Sequence, residues 1–476
     1  MADVINAFPG YEYVDGHNMY RGVDLGKGGY VYYETGMHSN VGTLDIQSMH
    51  PNSIRAMNSF GEYTKNFTDL LDARVFIKHG DFDSARKMLD GRLAPYLDDE
   101  SKAKELAQAL KIAINSVYGL TAASFDNPFR DIRNKNNIVA LRGALFMKTL
   151  QDEVVARGYK VVHIKTDSIK IPNIDLDIIN FCMDFAKQYG YTFEHESTYD
   201  RMCLVNGSTF VAKYKTAEAC QEMYGYVPGD NKKKGGTWTA VAAQFQVPYV
   251  FKKLFSHEKI EFKDLCETKE AKKGSGIYLD MNEPLPDVSE YEKQLEKATK
   301  QMAKYELQYT EHDISEEEYF MRCDEYSNLV EKKLRPEIDK GHRYSFVGKV
   351  GEFCPILSGK GGGQLVREQN GKYYAVAGST GYRWLESEVV KELEKEGDID
   401  YGYFNSLVDD AVDTIKKARA EQLNREGYKD IKAADCQGDF EWFISDDPFE
   451  TRLVNPPPPD DFMNIPEDSP DEIPFT

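Results

Sequence analysis

Cysteine is scarce: seven are scattered through 476 residues, and no two form a CxxC pair. That spacing excludes a zinc ribbon, an iron-sulfur cluster and a disulfide scaffold, and it points to free thiols in a reducing compartment. No apolar run approaches the roughly 18 to 20 residues that span a bilayer, so no membrane partner is expected. The opening MADVINAFPGYEYVDG lacks the basic flank and apolar stretch of a secretory signal, and a cytoplasmic location is expected. Positive charge is also short, with 59 basic against 79 acidic residues and a formal net charge of -20. On averages alone this argues against a nucleic-acid binder, so any basic groove must be local, with Lys232 to Lys234, Lys252 and Lys253 as candidates. His38, His163 and His195 lack metal-ligand spacing. The run Gly359 to Gly363 is not a phosphate-binding P-loop, because no Ser or Thr follows its GK.

What is present suits a globular chain of two or three domains: 41% hydrophobic, 12% aromatic and 29% charged residues. Strand-like runs at Tyr30 to Glu34 and Thr43 to Ile46 lead to a helical pattern beginning near Ser53. The clearest helix runs from Ser101 to Tyr118, with acids before it and Ala103, Leu106, Ala107, Leu110, Ala113, Ile114 and Val117 at helical spacing. A second helix from Asn137 to Arg157 precedes two strands, Tyr159 to Ile164 and Ser168 to Ile171, with Asp167 at the tip between them. A helix from Leu176 to Tyr189 and a strand-rich stretch to about Tyr214 follow, then charged helices from Tyr291 to Tyr309 and Ser315 to Lys333. His342 to Trp384 reads as a small β module and Glu386 to Arg425 as mostly helical. This mixture predicts an α+β fold. The last 21 residues hold four consecutive prolines and six acids without a base, the composition of a disordered tail.

Three separated segments carry the chemistry. Asp45-Ile46-Gln47-Ser48-Met49-His50 places an acid at a strand end before a turn whose amides would face an anion. Lys104, Gln108, Lys111, Asn115 and Tyr118 follow a 4-3-4-3 spacing that aligns them on one helix face. Such a polar stripe is ordinarily a solvent face, but its single-sign charge also suits phosphate. Lys165-Thr166-Asp167-Ser168 puts a further acid at a hairpin tip.

Together these segments resemble the family B DNA polymerases. DIQSMHPNSI, from Asp45 to Ile54, resembles the first palm motif; KIAINSVYG, from Lys111 to Gly119, resembles the KxxxNSxYG of the fingers; and Thr166 to Ser168 resembles the end of DTDS in the second palm motif. The order agrees, and the similarity covers roughly residues 25 to 215. It implies a right-hand polymerase fold with an antiparallel-sheet palm (1–60 and 120–243), short helical fingers (61–119) and a helical thumb (244–340). A C-terminal module (341–455) and an acidic disordered tail (456–476) would follow.

The resemblance further implies template-directed DNA synthesis from dNTPs on primer-template DNA. That chemistry uses two Mg2+ ions, which Mn2+ can replace, about 3.5 to 4 Å apart. Asp45, Asp167 and the carbonyl of Ile46 would hold the metals, since hard cations call for oxygen donors. Lys111 would neutralise charge on the β and γ phosphates, with Lys104 as a second phosphate contact. Asn115 would bond phosphate or sugar, the amides of Gln47, Ser48 and Met49 would cradle the triphosphate, and Tyr118 would pack on the nascent base pair. Gly119, Thr166, Ser168, Lys213 and Tyr214 are the candidate DNA contacts.

Two positions and one element depart from the family pattern. The primer-contacting KxY element is poorly matched: Gly207 to Phe210 aligns best but has no lysine, and Lys213-Tyr214 lies a few residues later. His50 stands where the family has the tyrosine that blocks a ribose 2'-OH, and Lys165 replaces the first aspartate of DTDS. Only 44 residues precede Asp45, so a separate exonuclease chain is an expected partner, as in a split bacteriophage enzyme, and the location would then be the host cytoplasm. The segment from Asp460 to Phe475 resembles the acidic tip of bacterial single-stranded DNA-binding proteins, which implies a replisome protein as a further partner. A catalytically silent polymerase-fold subunit that binds DNA and tethers such partners is the alternative reading.

Overall fold

The computed structural model describes residues 2–121, 123–127, 129, 137–281, 289–338 and 342–445. The expected tail, 456–476, lies outside the described residues. The chain is mixed α and β with antiparallel strand pairing throughout, and it divides into two compact units, Met1–Gln246 with Ala411–Thr476, and Val247–Asp410.

The first unit begins with a small sheet, β1 (Tyr11–Val14), β2 (His17–Tyr20) and β3 (Val23–Asp24). Its body is a seven-stranded sheet of β4 (Val31–Tyr33), β5 (Gly36–Ile46), β6 (His163–Lys165), β7 (Ser168–Ile171), β8 (Phe193–Asn206), β9 (Thr209–Tyr214) and β10 (Trp238–Val241). Its strand order is β10-β9-β8-β5-β7-β6-β4. The long strands β5 and β8 form its centre and pair through ten residues of β5, from Gly36↔Leu204 to Ile46↔Phe193.

After β5 the chain turns through Ser48, at φ 53°, into helix α1 (Met49–Ala56). The helix therefore starts four residues before the helical pattern read at Ser53. Asn52 fixes the turn by donating from Nδ2 to the Gln47 carbonyl at 2.8 Å, and the hydroxyls of Ser53 and Tyr191 meet at 2.7 Å beneath it. Helices α2 (Thr64–Lys78) and α3 (Glu100–Thr121) follow and pack on each other. The expected stripe holds except at two positions: α3 buries Ala103, Leu110 and Ile114 and leaves Lys104, Gln108, Lys111 and Asn115 exposed, but Ala113 is exposed and Tyr118 is half-buried against the core. Helix α4 (Ile138–Ala156) is buried on nearly every side, as its run IVALRGALFMKTL requires, and packs against α1 and α5 (Leu176–Gln188). Gly143 of α4 sits against the Met49 sulfur, so the missing side chain there lets α1 approach.

In the second unit, the segment read as a helical thumb contains strands β11 (Glu267–Glu270) and β12 (Gly276–Asp280) beside helices α6 (Ser289–Thr310) and α7 (Glu316–Leu329). They share two sheets with β13 (Tyr344–Gly348), β14 (Val350–Ile356), β15 (Gln364–Gln369), β16 (Lys372–Ala375) and β17 (Arg383–Glu386), in the orders β11-β14-β17 and β13-β12-β15-β16. The partners of β12 lie more than 60 residues away, which local periodicity does not reveal.

Helix α8 (Tyr401–Arg425) belongs to the first unit from Ala411 onward, and its C-terminal half is tied to the central sheet. Gln422 accepts from the Met37 amide at 2.8 Å and donates to the Met37 carbonyl at 3.1 Å. Gly36 makes that approach possible, at φ 132° with no side chain to meet Gln422. Arg419, buried, donates from Nε to the buried Asp439 of helix α9 (Gln437–Ile444) at 2.8 Å. Arg201 of β8, 1% exposed, donates to the carbonyls of Trp442 and Ser445 at 2.7 and 2.6 Å. Removing one member of a buried ion pair strands the other. Asp439→Ala is therefore expected to cost about 3 to 5 kcal/mol in urea unfolding, and Asp439→Asn clearly less, because it keeps an acceptor for Arg419.

Candidate active site

Strand register brings Asp45 and Asp167 together. Asp45 is opposite Ser168 of β7 on one side and Glu194 of β8 on the other. The two-residue turn Thr166-Asp167 closes the β6–β7 hairpin, and the Ile46 amide donates to the Asp167 carbonyl at 2.9 Å. The tip is held in a costly shape, since Thr166 has φ 58°, a left-handed conformation that β-branched residues rarely adopt. It is braced from the N-terminal side, where the Thr166 amide donates to the Tyr30 carbonyl at 3.0 Å. A Cβ on Gly29 would lie 2.5 Å from the Thr166 hydroxyl, so this glycine permits a close approach that sequence reading passed over.

Asp45, Ile46, Gln47, Ser48, Asp167 and Glu194 form one wall of a cavity of about 330 Å3. Helices α2 and α3 form the other, through Arg74, Val75, Lys78, His79, Lys111, Ile114 and Asn115. The cavity thus sets three carboxylates against three permanent cations. Glu194 is already engaged: Lys78 lies 3.1 Å from Oε2, and the Gln47 amide bonds Oε1. Burial raises its proton affinity, but Lys78, Gln47 and His79 outweigh that and hold its pKa below the ordinary value.

Asp45 and Asp167 are different, for among the described residues neither forms an ion pair. Burial first, then repulsion from Asp167, Glu196 and Glu194, pushes the Asp45 pKa up to about 7, with Lys170 opposing. Burial also raises Asp167, against the opposing effects of its own amide, His50 and Lys170. Lys170, buried in β7, is pushed down to about 8 by burial.

The donor set suits a hard cation. Among the described residues no group of three or more His, Cys, Asp or Glu side chains is gathered as a ligand set. What the cavity offers is two carboxylates whose charge no neighbouring cation pairs, with Ile46 beside them, and oxygen donors of this kind fit Mg2+.

Of the residues singled out from sequence, Asp45, Ile46, Gln47, Ser48, Lys111, Asn115 and Asp167 share this cavity. Met49 is buried with its sulfur toward Gly143. His50 and Tyr118 lie outside the lining but stack on one another, with ring centroids 4.2 Å apart and 13° between planes. Thr166 and Ser168 flank Asp167 in the hairpin, and Gly119 is exposed near the end of α3. Lys104 lies farther along α3 and pairs with Glu100 at 2.8 Å. Lys213 and Tyr214 are on β9, away from the cavity lining: Lys213 lies 5.7 Å over the Trp238 ring, and Tyr214 is in the core with its hydroxyl on Asp230 at 3.1 Å.

Sequence reading missed Arg74, Lys78, His79 and Glu194. Arg74 and Lys78 are four apart on α2, a same-face pair of cations, and that spacing was the available signal. Lys165, the departure from DTDS, is exposed at the end of β6 and does not line the cavity.

No protein-family model matches the sequence, and no curated protein matches it. Among solved structures, a family B DNA polymerase from the hyperthermophilic archaeon Pyrobaculum calidifontis matches at 12% identity with a TM-score of 0.38. The match covers 90% of this chain and 50% of that one, so the chain spans about half the length of that polymerase. No helix among the described residues is long and apolar enough to cross a membrane.

The raised Asp45 pKa sets a sign for stability. Between about pH 4 and 7 the folded metal-free protein keeps a proton that the unfolded chain has released, so stability falls as pH rises through that window and levels above it. Asp45→Asn removes the effect. In buffer with chelator the variant is expected to be more stable than wild type at pH 8 by about 1 to 2 kcal/mol, after allowance for solvent screening, with the gap closing below pH 4. Denaturant titrations at several pH values check this.

Proposed function

We propose that the chain is a template-directed DNA polymerase of the right-hand type, with its palm on the seven-stranded sheet and its fingers on α2 and α3. The observation that carries this reading is the convergence of Asp45 and Asp167, 122 positions apart in sequence, with Lys111 and Asn115 around one cavity. An arrangement of paired carboxylates facing fixed cations suits nucleotidyl transfer to a primer 3'-hydroxyl. In that reaction the 3'-oxygen forms a bond to the α-phosphorus of a dNTP, the bond from that phosphorus to the bridging oxygen breaks, pyrophosphate departs, and the hydroxyl proton is lost to solvent.

Each residue then has a defined task. Asp45 and Asp167, with the Ile46 carbonyl, would hold Mg2+, which when bound acidifies the attacking hydroxyl and offsets charge on the triphosphate. Lys111, Arg74 and Lys78 hold the β and γ phosphates as fixed cations, so charge gathering on the leaving group meets compensation without reorganisation. Asn115 donates to phosphate or sugar, and the amides at Gln47 and Ser48 receive the phosphate end from the palm side. The stacked rings of His50 and Tyr118 form a rigid aromatic wall for the sugar and base. Primer-template DNA binds outside the cavity, with the Thr166–Ser168 tip next to the primer terminus.

The alternative, a silent polymerase-fold subunit, drew on Lys165 and on the poorly matched KxY element; Lys165 is exposed and outside the cavity lining, and Lys213 lies on β9 away from it.

Primer extension by the full chain with dNTPs and Mg2+ at low salt tests the proposal. Asp45→Ala and Asp167→Ala are each expected to reduce extension to background. Lys111→Ala is expected to cost about 10²- to 10³-fold in rate, the usual loss when one preorganised charge partner of a transition state is removed. A wild type that binds primer-template yet never extends it, or an Asp167→Ala variant that extends normally, would overturn the reading.

A further inference from the structure

Helices α2 and α3 enclose a second cavity, of about 390 Å3, that begins where the first ends. The two share Arg74, Lys78 and Lys111. From Lys111 the second continues toward the N-terminus of α3 past Gln108, Ala107, Lys104, Ala103 and Glu100, and on the α2 side past Ile77 to Gly80 and Phe82. Along α3, Lys111 to Lys104 is two turns, about 10 Å.

The charge in this cleft is unbalanced. Four cations, Arg74, Lys78, Lys104 and Lys111, line it with one carboxylate, Glu100, in a chain whose overall charge is strongly negative. Lys78 is answered by Glu194 and Lys104 by Glu100, the latter an exposed pair open to exchange. Arg74 is the telling member. It is half-buried, faces both cavities, and among the described residues makes no ion pair or hydrogen bond. Arg21, Arg55, Arg86, Arg157 and Arg322 all pair with an acid. Apolar walls from Ile77, Phe82, Ala103 and Ala107 lower the local dielectric and strengthen the field. Like charges held together in such a place await an anion, and a guanidinium fork with lysines around it suits a phosphate group.

We propose that this cleft is a second anion site that takes inorganic pyrophosphate, where the leaving group is held after it quits the carboxylate cavity. Arg74, Lys78 and Lys111 hand the anion over because they face both sides, and Lys104 with Gln108 receives it. The origin of the ligand rests on the proposed polymerase reading; the existence of the site does not.

Calorimetric titration of inorganic pyrophosphate into the full chain, without DNA, nucleotide or divalent metal, tests this. Gln108 faces only the second cavity. Gln108→Glu is expected to weaken pyrophosphate binding at least tenfold, and Gln108→Lys to tighten it severalfold; the opposed directions separate an electrostatic effect from damage to the fold. The double variant Asp45→Asn, Asp167→Asn is expected to keep binding. Absence of binding to wild type at millimolar pyrophosphate overturns the proposal, and so does indifference to both Gln108 substitutions. A dNTP titrated in parallel separates the two sources of the same chemistry. If the Gln108 variants shift dNTP affinity as much as pyrophosphate affinity, the cleft holds the tail of the nucleotide and the staging role is overturned. The expected pyrophosphate pattern in a chain that never extends a primer would keep the anion site and remove the polymerase reading alone.

Discussion

Two carboxylates that repel each other share one cavity because strand register leaves them no alternative. Asp45 ends the long central strand, paired with Ser168 on one side and Glu194 on the other, and the tight turn before Ser168 projects Asp167 beside it. The amide of Ile46 locks that turn onto the strand, and the approach of Gly29 braces it from the other side. Strain at Thr166 and a proton affinity at Asp45 far above that of a free carboxylate are both costs of this arrangement. They are sustained by the rest of the sheet, whose centre is clamped by Gln422 and Arg201 to the returning C-terminal helices.

The opposite wall has the complementary character. Arg74 and Lys78 lie four apart on α2, and Lys104 and Lys111 lie seven apart on α3, so the four cations form a ladder rather than a point charge. At its inner end the ladder meets the carboxylate pair, and at its outer end it runs past Gln108 to Glu100. A polyanion between these walls would be attracted by one and repelled by the other. On the proposed reading, a cation between the carboxylates and a phosphate would reconcile them.

The strong helices and most strands were legible because they are periodic. The apolar spacing of α3 and the continuous apolar run of α4 each admit one structure, and the polar stripe from Lys104 to Tyr118 follows from helical geometry alone. The beginning of α1 was misplaced by four residues because its start depends on Ser48 adopting a left-handed turn that Asn52 secures, and neither residue signals this by periodicity. Strands β11 and β12 were hidden for a related reason: each is short, and the strands that satisfy its backbone lie far along the chain.

At the site, sequence alone determined which polar groups to look at: Asp45, Asp167, Lys111 and the uncharged Asn115 stand in segments whose local pattern marks them. It also determined that a stripe of α3 must face away from the core, since 3.6 residues per turn permits nothing else. Only the tertiary structure decided that Arg74, Lys78 and Glu194 join them, that Lys165 stays outside, and that His50 meets Tyr118 ring to ring. The reason is physical. Helical and strand periodicity are fixed over a few residues, whereas the meeting of groups more than a hundred positions apart depends on register and packing, which no local pattern encodes.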